Sequence, residues 1–188
     1  FEIEDTEFRI KFEQFCKNSK IKLIFHRSPM FLVSRTDYKD MVTTKKPQLA
    51  NFYSNIRKSF QIFVKDNKPI GDKWSFDEDN RKRVPKGYQS PKSYTFESKY
   101  FEEIKKLIDK FFSKHFGNLE KKIIFPMNFK DSSKVLDNFI SSKLENFGHY
   151  EDFVSTSDPY INHSLISAPL NIGLITPEQV LNKLSSFS

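Results

Sequence analysis

The sequence predicts a mainly α-helical fold that opens with one helix–strand unit of an α/β layer. Three observations lead to this expectation. Apolar residues recur at helical spacing through most of the 188 residues. One short apolar run, residues 21–25, has the length of a strand rather than a helix. Between residues 65 and 97, repeated Pro and Gly break any long element, so this stretch is expected to be a linker.

The first unit is a predicted helix over residues 4–18 followed by the strand at 21–25. Acidic Glu4 and Asp5 suit the first turn of the helix, and Pro29 prevents helix beyond the strand. The single cysteine, Cys16, lies on the apolar face of the helix and is expected to be buried.

Two more helices are predicted before the linker. Ser34 caps a short helix that runs through Met41, and Pro47 suits the first turn of a helix that ends near Val64. Arg57 and Lys58 lie on this second helix. A plain amphipathic helix with a solvated basic face explains both residues.

The linker contains a mixed aromatic and charged segment at residues 73–83. In one interpretation Trp74 and Phe76 pin the linker to the body, while Asp77 and Asp79 pair with nearby basic residues. In the other, the segment contacts DNA phosphates independently of base sequence. The residues that would make this contact are Lys73, Trp74, Arg81, Lys82 and Arg83.

The second half of the chain is predicted to be all helical. One helix covers residues 98–116 and ends at Gly117. The next opens at Asp131 or Ser132, covers 133–146 and is stopped by Gly148. Its apolar residues at helical spacing predict a buried stripe: Val135, Leu136, Phe139, Ile140 and Leu144. A further helix follows His163 and ends near residue 172. Thr176 caps the last helix, with Pro177 at its first position.

Composition limits the class of protein. The net charge of +7 and the 29% of charged residues favour an acidic partner such as nucleic acid, although source codon usage explains abundant Lys equally well. One cysteine excludes an internal disulfide and a multi-cysteine metal site within this chain. No run is long and apolar enough to span a membrane, so we expect a cytoplasmic protein with no membrane partner.

The segment at residues 163–167 carries the functional argument. Ser164 and Ser167 flank two apolar residues where a helix is expected to begin. One interpretation is a serine-capped amphipathic helix with no ligand. The other is a phosphate site formed by the serines and the exposed amides of the first turn.

The wider pattern resembles the photolyase and cryptochrome family. It is most similar to the branch of iron–sulfur bacterial cryptochromes and photolyases, also called deoxyribodipyrimidine photolyase-related proteins. Three strings carry the resemblance: Phe-Gly-His-Tyr-Glu-Asp at 147–152, His-Ser-Leu-Ile-Ser at 163–167, and Leu-Asn-Ile-Gly-Leu-Ile-Thr-Pro-Glu-Gln-Val at 170–180. The linker segment Lys-Trp-Ser-Phe-Asp-Glu-Asp-Asn-Arg-Lys at 73–82 resembles the interdomain segment of the same branch, with Ser75 in place of Asn and Asp79 in place of Glu.

The resemblance implies a division into domains and a cofactor. Residues 1–64 would be the C-terminal part of an α/β, Rossmann-like antenna-type domain. Residues 65–97 would be the interdomain linker, and 98–188 the first helices of an all-α FAD-binding domain. The resemblance places the FAD diphosphate on Ser164, Ser167 and the amides of Leu165 and Ile166. The residues that it assigns less directly are Tyr150 on the phosphate–ribose side, His163 and Asn171.

The resemblance also implies an activity: light-dependent repair of pyrimidine dimers or six-four photoproducts in damaged DNA, or a related cryptochrome role. It places no catalytic residue and no metal ligand in this chain. The family's 4Fe–4S cluster and lumazine-type antenna would lie mostly or wholly outside it. We expect an internal piece of a monomeric protein that alone binds FAD poorly and is inactive. The alternatives are a basic helical nucleic-acid-binding module without flavin, and a scaffold whose apolar faces await a partner domain.

Overall fold

The computed structural model describes residues 3–42, 46 and 48–187. The predicted mainly helical fold is confirmed for these residues. Their strands form two separate antiparallel pairs, β1 with β2 and β3 with β4. In chain order the elements are α1 (Thr6–Asn18), α2 (Arg35–Met41), α3 (Leu49–Ser59), β1 (Val64–Lys65), β2 (Lys68–Pro69), a 3₁₀ turn (Asp77–Asp79), β3 (Phe96–Glu97), α4 (Phe101–Phe111), β4 (Lys122–Ile123), α5 (Phe129–Asn138), a π-helical turn (Phe139–Lys143), α6 (Leu144–Tyr150), α7 (Ser167–Asn171) and α8 (Pro177–Phe187).

Helix α1 confirms the helix predicted over residues 4–18, although it begins two residues later, at Thr6. Asp5 is its N-cap, and the Asp5 carboxylate accepts a hydrogen bond from the Phe8 amide at 2.6 Å. Cys16 is buried as expected, with 4% of its surface exposed. The aromatic residues of the same helix, Phe8, Phe12 and Phe15, stay largely exposed. The helix therefore forms from local signals, but the described residues cover little of its apolar face.

The predicted strand at residues 21–25 is wrong for this structure. The segment has no ladder partner, and Ile21 and Ile24 are more than half exposed. A strand needs a neighbour to take its amides and carbonyls, and no other segment of the described chain pairs with this one. The apolar run alone could not supply that neighbour.

The next two helices are confirmed, with one change of length. Ser34 accepts from the Asp37 amide at 3.1 Å while Asp37 accepts from the Ser34 amide at 2.8 Å, a complete capping box on α2. The hydrogen bonds hold the pKa of Asp37 below its usual value. Pro47 lies outside the described residues. Helix α3 ends at Ser59 rather than near residue 64.

Arg57 closes the end of α3, which corrects the interpretation of this residue as part of a solvated face. Arg57 is 8% exposed, and its guanidinium donates to the carbonyls of Ile62, Phe63 and Trp74 at 2.8–3.3 Å. Those bonds hold the chain in the turn between α3 and β1, where Phe63 has a φ of 47°. The planar fork of Arg57 thus binds two carbonyls of the turn that follows the helix and one carbonyl of the more distant Trp74.

Replacing Arg57 by Lys should lower the free energy of unfolding by about 1–2 kcal/mol, because an ammonium group cannot reach all three carbonyls. Chemical denaturation measures the change. Arg81→Lys is the matched control, since the Arg81 side chain is 77% exposed. Equal stability of both variants would contradict the anchoring role of Arg57.

The predicted helix at residues 98–116 is shorter in the structure. Helix α4 ends at Phe111, six residues before Gly117, so Gly117 does not terminate it. Apolar residues of α4, among them Ile104, Leu107 and Phe111, are between 44% and 62% exposed.

Helices α5 and α6 form one long helical stretch with a π-helical turn between them. Asn128 caps α5 by accepting from the Asp131 amide at 2.9 Å, so the helix opens earlier than the predicted Asp131 or Ser132. Gly148 was expected to stop the helix, yet α6 continues through it to Tyr150. A helix interior tolerates glycine at a modest energetic penalty, and packing overrides that preference here.

The core lies on this stretch. Leu136, Phe139 and Ile140 are buried, and partly buried apolar residues pack around them: Leu144, Phe147, Ile166, Val180 and Leu184. The predicted stripe on this helix is confirmed for Val135, Leu136, Phe139 and Ile140. Ile166 joins the candidate phosphate segment to this core.

Helix α8 begins as predicted. The Thr176 hydroxyl accepts from the Gln179 amide at 3.2 Å, and the Gln179 side chain accepts from the Thr176 amide at 2.9 Å. None of the helices in the described part of the chain has the length and apolar character needed to cross a membrane. The division into two domains and a linker stays a prediction.

Candidate functional site

Residues 163–166 form a loop rather than the first turn of a helix. Helix α7 begins at Ser167 and has five residues, so the predicted start after His163 is wrong. Pro169 gives the reason. In a helix begun at residue 163, its ring would clash with the carbonyl of residue 165, whereas it is tolerated in the first turn of α7. Leu165 accordingly adopts a φ of 59°, which a non-glycine residue rarely does.

The loop and Ser167 together form the candidate phosphate site, which we call the phosphate loop (residues 163–167), and it holds a group of donors without acceptors among the described residues. The amides of residues 164–167 donate to no backbone carbonyl among the described residues. The hydroxyls of Ser164 and Ser167 also have no hydrogen-bond partner within the described part of the chain, and the buried Nε2 of His163 is unpaired there. Consecutive amides around a left-handed residue form a concavity that suits an anion. The loop therefore has the donor chemistry that a diphosphate needs.

Tyr150 contacts Tyr88, which is hydrogen-bonded to Asn162, the residue directly before this loop. It ends α6, is 9% exposed, and packs edge-on against Tyr88 with 5.5 Å between ring centroids. The Tyr88 hydroxyl and the buried Asn162 amide are hydrogen-bonded at 2.8–3.1 Å. Asn171 lies exposed at the end of α7. The roles of Tyr150, His163 and Asn171 toward a cofactor stay predictions.

The two large clefts of the described chain lie elsewhere. One, of about 590 Å³, is lined by residues that include Arg27, Phe60 and Asn182. The other, of about 540 Å³, is lined by residues that include Arg9, Tyr38 and Phe52. Neither cleft includes a residue of the phosphate loop. Residues 163–166 of the loop are half-buried, and Ser167 is exposed.

A buried lysine lies directly behind the loop. Lys143 is 1% exposed, and its ammonium donates to the Ser93 hydroxyl at 2.7 Å and to the His163 carbonyl at 3.3 Å. Burial lowers the pKa of Lys143, and Asp158 opposes that shift in part. A hydrogen bond from Ser90, with others from the amides of Tyr160 and Ile161, lowers the pKa of Asp158.

The sequence analysis missed Lys143. It follows two serines in a helix, which is typical of a solvated position. The available signal was its spacing, because it lies three residues after Ile140 and four after Phe139 on the buried stripe. A lysine at a stripe position is unusual enough to single out.

In residues 65–97, the predicted linker, Trp74 packs against two cations of α3. The Arg57 guanidinium lies 5.2 Å and the Lys58 ammonium 5.0 Å from the centroid of its ring. Its carbonyl accepts from Arg57. Lys73 lies exposed, 6.0 Å from the centroid of Phe76. This arrangement supports the interpretation in which the aromatic residue anchors the linker.

The basic triplet Arg81, Lys82 and Arg83 is held against the end of α6. The Lys82 amide donates to the His149 carbonyl at 3.0 Å, and the Asp152 amide donates to the Asn80 carbonyl at 3.1 Å. Arg81 pairs with Asp152 at 3.2 Å and Lys82 with Asp79 at 3.8 Å. The Asp77 carboxylate accepts a hydrogen bond from the Asn80 side-chain amide at 3.0 Å, and it forms no ion pair with a basic residue of the described chain. Within the described residues the exposed Arg83 has no ion pair.

Together these features describe a mainly helical protein with a candidate dinucleotide-phosphate loop and a basic segment fixed beside the end of α6. Residues 1–123 match the family described as Deoxyribodipyrimidine photo-lyase-related protein. That match covers well over half of the chain, and the chain therefore belongs to this family. The resemblance inferred from the sequence is confirmed.

Curated relatives extend the comparison. The chain is 28% identical over 176 residues to a protein named (6-4) photolyase from Agrobacterium fabrum, a match over 92% of this chain and 34% of that protein. A contiguous span of that length has to include the phosphate loop. Two uncharacterized proteins of Acanthamoeba polyphaga mimivirus also match. One is 37% identical over 79 residues, covering 38% of this chain and 39% of its own length. The other is 57% identical over 35 residues, covering 19% of this chain and 27% of its own length. The chain thus spans about a third of the length of the curated photolyase.

Proposed function

We propose that the chain is part of a light-dependent, FAD-containing photolyase that repairs ultraviolet lesions in DNA, with the six-four photoproduct as the first substrate to test. A cryptochrome in which signalling replaces repair uses the same loop and is the nearest variant. The observation that carries the proposal is the phosphate loop of a chain in the photolyase-related family: its two serine hydroxyls and its amides have no partner among the residues that the structure describes. The name of the Agrobacterium relative supports the choice of lesion.

The residues present fit the cofactor's diphosphate. Ser164, Ser167 and the amides of Leu165 and Ile166 would hold the two phosphates, because each offers a donor that the described protein leaves unused. His163 would add its unpaired ring nitrogen if the loop adjusts around the ligand. Bound FAD would supply the light absorption and electron transfer of the reaction. This chain's own contribution would be to bind and orient the cofactor.

The linker supports the DNA part of the proposal. Arg81, Lys82 and Arg83 lie on the surface beside α6, in a position fixed by backbone hydrogen bonds. Exposed ion pairs such as Arg81 with Asp152 contribute little stability, so a DNA phosphate could replace the carboxylate. Arg83, Lys73 and Lys82 would add phosphate contacts, whereas Trp74 would hold the linker in place.

The test uses the protein in the longest form that its gene encodes. Purified protein should carry flavin absorbance, and blue light should restore oligonucleotides containing a six-four photoproduct while a dark control stays unrepaired. A cyclobutane dimer substrate in parallel separates the two lesion classes. Flavin-bearing protein that repairs neither lesion would favour the cryptochrome variant.

The high positive charge keeps a second function open. A basic helical module that binds nucleic acid without flavin accounts for the net charge of +7 and for the exposed linker cations. Flavin-free protein with strongly salt-dependent DNA binding would support this module and overturn the photolyase proposal.

Arg83→Ala should weaken DNA binding similarly for all base sequences. The slope of log binding constant against log salt concentration should fall by about one phosphate contact, because Arg83 is exposed and has no ion pair among the described residues. Fluorescence anisotropy across a salt series measures both quantities. Lys114→Ala, an exposed residue after α4, is the control. An Arg83 variant with an unchanged salt slope would exclude this residue from the DNA contact.

A further inference from the structure

Lys143 joins two segments that are far apart in the chain. It closes the π-helical turn, and its ammonium donates to Ser93 in the linker and to the carbonyl of His163, the first residue of the phosphate loop. The neighbouring Tyr88–Asn162 hydrogen bonds join the same two segments. The π turn matters for this contact because one extra residue in a helical turn changes the direction of the side chains that follow.

The charge of Lys143 is buried without close neutralisation. Within the described residues no carboxylate forms an ion pair with its ammonium, and both of its acceptors are uncharged oxygens. Asp158 acts on it electrostatically but is itself engaged by Ser90 and two backbone amides. A buried, incompletely compensated charge usually destabilises a fold, and an apolar side chain of similar length would give a more stable core. Packing alone therefore does not explain Lys143.

We propose that Lys143 is a positioning residue for the phosphate loop: it fixes the His163 carbonyl at the start of the loop and supplies positive charge for a dinucleotide's diphosphate. The inference rests on the proposed FAD function and deepens it, because it assigns the selectivity for a phosphate-bearing flavin to a residue that does not itself hold the ligand. A charge in a poorly solvated position acts more strongly on a nearby anion than an exposed one. The unpaired amides and hydroxyls would bind the phosphates in a field that Lys143 makes favourable.

Lys143→Met separates this role from a structural one. Methionine keeps an unbranched chain of similar length but removes the charge and both hydrogen bonds. If Lys143 serves the ligand, the variant apoprotein should be as stable as wild type or more so, while its affinity for FAD falls. If Lys143 serves only the fold, stability should fall first. Lys134→Met is the matched control, because Lys134 lies on the surface of α5 and its one ion pair within the described chain is with Asp131.

The experiment measures the dissociation constants of FAD and of riboflavin for the full-length wild type, Lys143→Met, Lys143→Arg and Lys134→Met, with the melting temperature of each apoprotein. We expect Lys143→Met to weaken FAD binding about 10-fold or more, to change riboflavin binding by less than about 3-fold, and to leave the melting temperature equal or higher. Lys143→Arg, which keeps the charge, should recover part of the FAD affinity.

Two results would overturn the inference while leaving the proposed function intact. One is FAD affinity in Lys143→Met within about 2-fold of wild type. The other is an equal loss of FAD and riboflavin binding together with a lower melting temperature, which would make Lys143 a structural residue. A wild-type protein that binds no FAD would instead overturn the proposed function itself.

Discussion

Replacing both Ser164 and Ser167 by Ala should weaken FAD binding by about 100-fold or more. Each hydroxyl is unpaired in the described protein and would donate to a charged phosphate oxygen. Hydrogen bonds to charged groups contribute about 1.5–3 kcal/mol each, so losing two of them gives an effect of this size. Equilibrium dialysis, or titration of flavin fluorescence, on the full-length protein measures the dissociation constant.

The single variants and a control make this result specific. Ser164→Ala and Ser167→Ala measured separately show whether the two hydroxyls act independently or as a unit. Ser113→Ala, an exposed serine after α4, should bind FAD like wild type. Retention of FAD by the double variant, with wild-type affinity, would mean that the diphosphate lies away from this loop.

Phe139→Ala should lower the free energy of unfolding by about 3–5 kcal/mol, the largest stability effect that we expect. Phe139 is 4% exposed, contacts Phe147 edge-on at 5.1 Å, and belongs to the buried cluster against which Ile166 packs. Truncation removes the ring and leaves a cavity under the phosphate loop. Urea denaturation followed by circular dichroism measures the loss.

Phe129→Ala is the matched control for this prediction. Phe129 begins α5 but is 71% exposed, so truncation should change stability by less than about 1 kcal/mol. Because Ile166 lies in both the loop and the core packing, Phe139→Ala should also weaken FAD binding, whereas Phe129→Ala should not. Similar losses of stability in the two variants would mean that the cluster around Phe139 is not the core.

Features that depend on neighbouring residues could be predicted from the sequence. Ser34 and Thr176 each cap the helix that their position indicated, because a cap is a contact over three residues. Asp5 was expected in the first turn of its helix and is the N-cap of α1 instead. The stripe Val135, Leu136, Phe139 and Ile140 is buried as its spacing indicated. The family was also predictable, since its motifs are strings of adjacent residues.

Features that depend on distant residues could not be predicted in the same way. The run at residues 21–25 is apolar enough for a strand but has no ladder partner in the described chain. Gly148 and Gly117 are both residues that typically end a helix. Helix α6 nevertheless continues past Gly148 to the buried Tyr150, and α4 ends at Phe111, before Gly117. Residues 163–167 were predicted to open a helix, but α7 begins only at Ser167, because Pro169 and the left-handed Leu165 move the helix start.

The same division holds for the candidate site. Adjacent residues alone identified Ser164, Ser167 and the basic triplet as candidates, since their chemistry lies in their side chains and short-range order. Tertiary contacts decided that Arg57 and Lys143 are buried cations and that the linker is fixed beside α6. A lysine or arginine is usually solvated, and a buried one needs carbonyls and hydroxyls as hydrogen-bond partners. Arg57 has two such partners close in sequence, Ile62 and Phe63, and a third in Trp74, 17 residues away. Both partners of Lys143, Ser93 and His163, are distant, at 50 and 20 residues.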